Sequence, residues 1–256
     1  MPAGDAFCAA HPEVRATGSC SRCGTFGCGA CLEQRGADWL CPRCRARVSV
    51  LPWDERESLG LWRAWWRTSV QLLSSPTQTL GGAAPDAPLG SSMLYAALST
   101  AAGFGPTLLM YAVIYIPLAQ LGSKGAGFGV ASAVVPVVMV AYLLFLMAMQ
   151  LAGVLVLSGL DHLGLMLAGA QPKAYTVTVR AHALSMAPYL VGLVPVCGFY
   201  VFPVWSLVVR VMANLHFHRT TAGKAAGAVL LPLLLLCGGV LGISAVVLSL
   251  TLGAAR

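Results

Sequence analysis

The sequence predicts an all-α polytopic membrane helical bundle of about five spans behind a small cysteine-rich head. Three observations predict it. First, 57% of the 256 residues are apolar and only 10% are charged, whereas soluble domains carry about a quarter charged residues. Second, the charge is divided unevenly. Residues 1–67 hold nine of the sixteen basic and seven of the nine acidic residues, and the remaining 189 residues carry nine formal charges, with Asp86 and Asp161 as their only acids. A soluble surface cannot be built from so few charges, which argues against a soluble enzyme. Third, seven of the nine cysteines fall between Cys8 and Cys44. The chain therefore divides into a head at 1–47, a linker at 48–90 and a membrane domain at 91–256.

In the head, the ligand-type residues read Cys8-x-x-His11, Cys20-x-x-Cys23, Cys28-x-x-Cys31 and Cys41-x-x-Cys44. A two-residue gap lets both side chains of a tight turn face one ion, as tetrahedral zinc requires. Eight ligands serve two zinc ions. Gly18, Gly24, Gly27 and Gly29 are placed to form the turns. Neither a basic start nor an apolar run precedes the head, so a reducing cytosol is expected, and metal is favoured over disulfides there. Seven thiolates and two zinc ions would bring the formal +7 to about +4, which fits basic cytoplasmic flanks rather than a nucleic-acid footprint. All eight ligands are protein side chains, so both sites are expected to be closed and structural. Two pairings satisfy the spacing: first four with last four, or alternate pairs. The four residues between Cys23 and Cys28 suit alternation. Phe26 is expected in the core of the head, and Phe7 and Trp39 either there or at a contact surface. Cys197 and Cys237 lie alone in apolar runs and are expected to be buried apolar residues.

The segment CAAHPEVRATGSCSRCGTFGCGAC resembles the B-box zinc-finger family in its C-x-x-H, C-x-x-C, C-x-x-C order. The last pair is CPRC, where many B-boxes have two histidines. The resemblance covers about 45 residues and implies interleaved pairing, a two-zinc cross-brace. Cys8, His11, Cys28 and Cys31 would then hold one ion, and Cys20, Cys23, Cys41 and Cys44 the other.

The linker opens with RARVSVLPWDERE (45–57), read as a polar connector. It continues as an amphipathic helix in which Trp62, Trp65, Trp66, Val70 and Leu73 recur at helical spacing, with Arg63 and Arg67 on another face. Tryptophan with arginine suits the lipid headgroup level. Pro76 ends this helix, and GGAAPDAPLG is a loop.

Five apolar runs follow, at 92–118, 128–157, 174–194, 196–215 and 225–252. Each approaches the roughly 20 residues that a crossing needs. The third is interrupted by Arg180 and His182. GLVP joins the third and fourth as a tight helical hairpin. Gly238 and Gly242 are spaced for close helix packing. With the N-terminus in the cytosol, Arg63, Arg67, Lys173, Arg180, Arg210, Arg219 and Lys224 flank the inner face, against Lys124 and Arg256 outside. The excess of basic residues inside puts the C-terminus outside, with Arg180 and Arg210 snorkelling near the inner helix ends.

The membrane body is similar to the Yip family of five-span membrane proteins, on the segments WRTSVQLLSSP, PLGSSMLYA, MAPYLVGLVPVCGFYVFPVWSLVVRV and TTAGKAAGAVLLP. This resemblance covers residues 60–256 and implies a non-enzymatic membrane protein. Eukaryotic members of the family bind small GTPases and act in vesicle traffic and membrane shaping. Abundant Ala, Gly and Arg with three lysines points to a GC-rich bacterial genome, and so to a multi-pass protein of a bacterial inner membrane.

Charged and histidine residues in the apolar part are functional candidates by default: Asp161, His162, Arg180, His182, Arg210, His216 and His218. Asp161 and His162 are expected to cap the inner end of the second span. His216 and His218 are two apart and so face different sides of a helix. Ser158 with His162 lacks a nucleophile elbow, and no phosphate loop or paired acids occur. The expected role is membrane-anchored interaction: a protein partner on the zinc head, the lipid bilayer around the spans, no nucleic acid, and a second copy of the chain as a further candidate partner. A small transporter or channel component with a regulatory zinc head is the alternative. A third reading is a ligase that recruits a conjugating enzyme.

Overall fold

The structure is a computed structural model. It describes residues 6–21, 23–35, 38–45, 51–122, 128–194 and 198–232, with 234, 238, 242 and 244 beyond them. The fold is mostly helical, with a short-stranded head.

The head is built from two minimal hairpins. β1 (Gly18–Ser19) pairs antiparallel with β2 (Phe26–Gly27), and β3 (Glu33–Arg35) with β4 (Asp38–Leu40) in the register Glu33–Leu40. One helical turn, α1 (Pro42–Arg45), closes it. Its buried apolar residues are almost all cysteines, joined by Leu32 and Leu40. So small a core cannot hold a domain without staples. Phe26 departs from expectation: it is 44% exposed, because a side chain at neighbouring Gly27 would come within 2.7 Å of Leu32, which fills the interior there.

The linker is docked, not a free polar connector, from Leu51 onward. Leu51 and Trp53 are each 1% exposed. Trp53 sits in a 3-10 turn (Pro52–Glu55), donates its backbone N–H to Thr68 Oγ1 at 2.8 Å, and donates its indole N–H to Ser91 Oγ at 3.0 Å. Residues 46–50 lie outside the described ones. A short helix α2 (Arg56–Leu59) ends at Gly60, whose φ of 81° suits glycine.

α3 (Leu61–Ser74) is two-faced. Ala64, Trp65, Thr68, Ser69 and Leu72 are buried, with the Trp65 indole N–H on Ser99 Oγ and Ser69 bonded to the Tyr95 hydroxyl. Trp62, Trp66 and Val70, four residues apart, stay exposed beside Arg63 and Arg67. The helix stops before Pro76, which starts α4 (Pro76–Gly82).

Two long helices follow, α5 (Leu89–Gly122) and α6 (Phe128–Leu167), packed on each other. Within them, Leu89–Ile114 and Val137–Leu167 are long and apolar enough to cross a membrane. The 31-residue stretch of α6 is about 46 Å long, well beyond a hydrocarbon core.

The third run differs from a continuous span. α7 (Tyr175–Leu184) is followed by a 3-10 helix (Ala187–Leu193) that opens on Pro188. Proline lacks the N–H that an α-helix would use there. Residues Val177–Leu184 are all buried, as befits a helix surrounded by protein. The 3-10 helix meets α5 where Gly192 lies so close to Gly103 that a Cβ would stand 2.5 Å from its backbone. α8 (Gly198–Phe217) then returns beside α7, with Tyr189 on Phe202 at 4.3 Å between ring centres and Thr178 on His218. The two arms pack on each other, and the rest of the expected hairpin turn, residues 195–197, lies outside the described residues.

Of the fifth run, 222–232 is helical, with Ala228 against Gly164 of α6. Among the described residues, a Cβ at Gly238 or Gly242 would meet nothing within 4 Å, while close packing of small residues is found at Gly103–Gly192 and Gly164–Ala228. Cys197, Cys237, Lys124 and Arg256 lie outside the described residues.

Candidate metal centres and buried charges

The eight predicted ligands form two groups drawn from alternate pairs of the chain. Cys8, His11, Cys28 and Cys31 form one, and Cys20, Cys23, Cys41 and Cys44 the other, with the ligand atoms of each group within 4.8 Å of one another.

Each pair sits on a tight turn. His11 N–H donates to Cys8 O at 3.1 Å, Gly24 N–H to Cys20 O at 2.8 Å, Cys31 N–H to Cys28 O at 3.0 Å, and Arg45 N–H to Cys41 O at 2.8 Å. Of the four glycines expected to shape turns, Gly24 has the positive φ, 74°, that requires one. The two hairpins and α1 then bring each pair to its partner, and the Cys41 N–H points at Cys20 Sγ, 3.4 Å away.

The spacing of the donor atoms fits a tetrahedral dication. Sulfurs about 2.3 Å from one zinc ion stand about 3.8 Å apart. Cys23 Sγ and Cys41 Sγ are 3.7 Å apart. His11 Nδ1 lies 3.9, 3.5 and 3.3 Å from the sulfurs of Cys8, Cys28 and Cys31. A disulfide would need about 2.05 Å, and none of these seven cysteines forms one.

The electrostatics point the same way. Burial raises the Cys8 thiol, but the backbone amides of Cys28, Ala10 and His11 outweigh it and bring it down to about 6. The Thr25 hydroxyl and amide bring Cys23 to about 6. His11 lowers Cys28, and hydrogen bonding to Cys28 and then Cys8 raises His11. Burial, reinforced by neighbouring thiolates, pushes Cys31 up to about 11 and Cys44 up to about 12. Each group thus sets a ready thiolate beside a thiol that only a nearby cation would ionise. With four protein donors per group, no coordination position is left for water.

The charged residues of the helical body do not converge on one site. They form separate pairs. Asp161 does not cap α6: it lies inside the helix, fully buried, and accepts Arg210 Nε at 2.5 Å and Nη2 at 2.7 Å. Arg210 Nη2 also donates to Leu157 O at 3.1 Å. Arg180 is 1% exposed rather than snorkelling, and its Nη2 holds both Asp54 oxygens, at 2.7 and 3.0 Å. Asp54 itself is exposed, so of the two pairs Asp161–Arg210 is the one buried on both sides, and such pairing is how an apolar interior tolerates charge.

His162 Nδ1 and His218 Nε2 both meet Thr178 Oγ1, at 2.9 and 3.0 Å, while Lys173 N–H donates to His218 Nδ1. That last bond places the His218 proton on Nε2, so His218 donates to Thr178 and Thr178 donates to His162. His216 faces Gly81 instead, on another side, as the two-residue spacing predicts. Ser158 donates to Val154 O of its own helix, and with His162 engaged by Thr178 the two form no dyad. Head and body touch where Arg219 Nη1 donates to Ser21 O, between Cys20 and Cys23.

Sequence reasoning missed Asp54 and Trp53 as structural anchors. The signal was there in a lone tryptophan beside an acid within a polar run. Comparison with family models, with curated proteins and with solved structures finds no match to this chain.

Proposed function

We propose that this chain is a non-enzymatic integral membrane protein whose two-zinc, cross-braced head recruits a protein partner on the cytosolic side of the membrane. The observation that carries this is the surface of the head. Phe7, Phe26 and Trp39 are 55%, 44% and 45% exposed on a domain whose interior is given over to metal ligands. Aromatic side chains held rigidly at a surface are the usual anchors of protein contacts. The two ligand groups support zinc as the metal and a structural role for it. When bound, the metal supplies the cross-links that the small core lacks.

In this reading the exposed Trp62, Trp66, Arg63 and Arg67 of α3 rest at the membrane–water interface, while the opposite face docks on the bundle. The resemblances to B-box and Yip proteins, five spans and a bacterial inner membrane belong to the same proposal. The alternative, a small transporter or channel component, draws support from the Asp161–Arg210 pair buried in the body.

The test is co-purification from native membranes in mild detergent. Wild type is compared with a Phe26→Ala/Trp39→Ala double variant and with Cys20→Ser. A partner lost with both variants supports recruitment by the head. A partner set unchanged in both moves the function into the helices.

A further inference from the structure

A cavity of about 250 Å³ lies between α6 and α8, with α7 and the following 3-10 helix as its floor. Gln150, Gly153 and Leu157, which line it, are near the middle of the apolar 137–167 stretch. Ser185, at the break between α7 and the 3-10 helix, and Tyr189 also line it. An interrupted helix at membrane depth is tolerated where the break faces a cavity rather than lipid.

The polar groups here are mostly donors. Arg210 commits Nε and Nη2 to Asp161 and Leu157 O, and its Nη1 has no partner among the described residues. His182 is 8% exposed, and its Nδ1 has none either. Ser206 Oγ is likewise unpartnered. The Tyr189 hydroxyl accepts from Gln150 Nε2 at 2.7 Å, which leaves its own proton to give. No carboxylate lines the space, since Asp161 is fully buried behind Arg210. The rest of the wall is apolar, including Val154, Leu157 and Leu207. A buried imidazole without a partner is costly in a folded protein unless something completes it.

We propose that this cavity binds a small monocarboxylate. The ligand's carboxylate is held by Arg210 Nη1, by His182 in its Nδ1–H tautomer, and by the Tyr189 and Ser206 hydroxyls. Its short hydrocarbon body lies against the apolar wall. Asp161 orients the guanidinium from behind and keeps the site near neutral when no anion is present. The size suits a small solute rather than a drug-sized molecule. The same chemistry has two sources: a short acid from water, or a fatty acid entering from the bilayer between α6 and α8. The proposal rests on neither the head nor its metal.

The test uses the full chain in phosphatidylcholine nanodiscs, with equilibrium binding of radiolabelled butyrate and of laurate. Wild type should bind at least one saturably. Butyrate binding identifies an aqueous source, and binding of laurate alone a bilayer source. His182→Leu and Ser206→Leu should each weaken binding at least about tenfold. His182→Leu should leave the melting temperature unchanged or raised, because no hydrogen bond of its ring is lost; a purely structural histidine would lower it. If His182→Leu does lower it, Ser206→Leu alone decides. Absence of saturable binding to wild type, or variants that bind as wild type does, would overturn the proposal.

Discussion

The head and the body solve the same problem by opposite means. The head buries six of its seven cysteines with Leu32 and Leu40, in two donor groups that could hold metal ions. The body buries aromatic and aliphatic side chains around Trp53, Trp65 and Tyr95, places the Asp161–Arg210 pair in its interior, and ties the buried Arg180 to Asp54 at its surface. One region is short of apolar surface and carries two donor groups through which a metal could supply the missing cohesion. The other has apolar surface in excess, and polar pairs fix which helix meets which. The contrast teaches that stability here is divisible: each region should be breakable without the other.

The sharpest break is metal removal. A strong chelator, or Cys20→Ser, should unfold the head outright, since structural zinc contributes about 10–16 kcal/mol of folding free energy in small domains. Zinc analysis should give about two ions per chain before treatment and a much lower content after. Helical circular dichroism should stay almost unchanged, because the head contributes one turn of helix. Loss of the helical signal along with the metal would end the idea of two separable regions.

Next in size is Asp161→Ala. It strands the Arg210 guanidinium in the interior and should cost about 3–5 kcal/mol. Asp161→Leu with Arg210→Met should recover most of that loss, as paired removal leaves no unmatched charge. Thermal unfolding in detergent would measure both, with zinc content unchanged throughout.

Smaller again is Gly192→Ala. A Cβ there meets the Gly103 backbone at 2.5 Å, so α5 and the 3-10 helix must part, at about 1–3 kcal/mol. Gly238→Ala is the control and should be nearly silent, since among the described residues a Cβ there would meet nothing within 4 Å.

The smallest effect on stability belongs to Trp39→Ala on the head. An exposed side chain of this kind should change stability by no more than about 0.5 kcal/mol. Its consequence should appear only in partner capture.

The same contrast explains what the sequence made legible. The metal ligands were readable because their logic is local. Each pair spans four residues, and the bridge between Cys23 and Cys28 favours alternation over sequential use. The long helices were readable because apolar runs of that length have few other uses. The charge pairing was not readable, because Asp161 finds Arg210 across 49 residues and Asp54 finds Arg180 across 126. Nothing in spacing records such meetings. The break after Leu184 was written in Pro188, but the run around it was apolar enough to read as one span. Gly103 and Gly192 were lost among 28 glycines, since only their opposition across two elements distinguishes them.

The docking of Leu51 and Trp53 has a consequence for reach. Five residues, 46–50, join Arg45 of the head to this anchored turn. Even fully extended, they let the two ends part by no more than about 20 Å. The head therefore stays within a short reach of the helices, consistent with the Arg219–Ser21 contact. Anything it grips is held beside the helices at an effective concentration of about millimolar or above. Under the proposed recruitment function, a weak, fast-exchanging contact with the head would then suffice to keep a partner beside the helices.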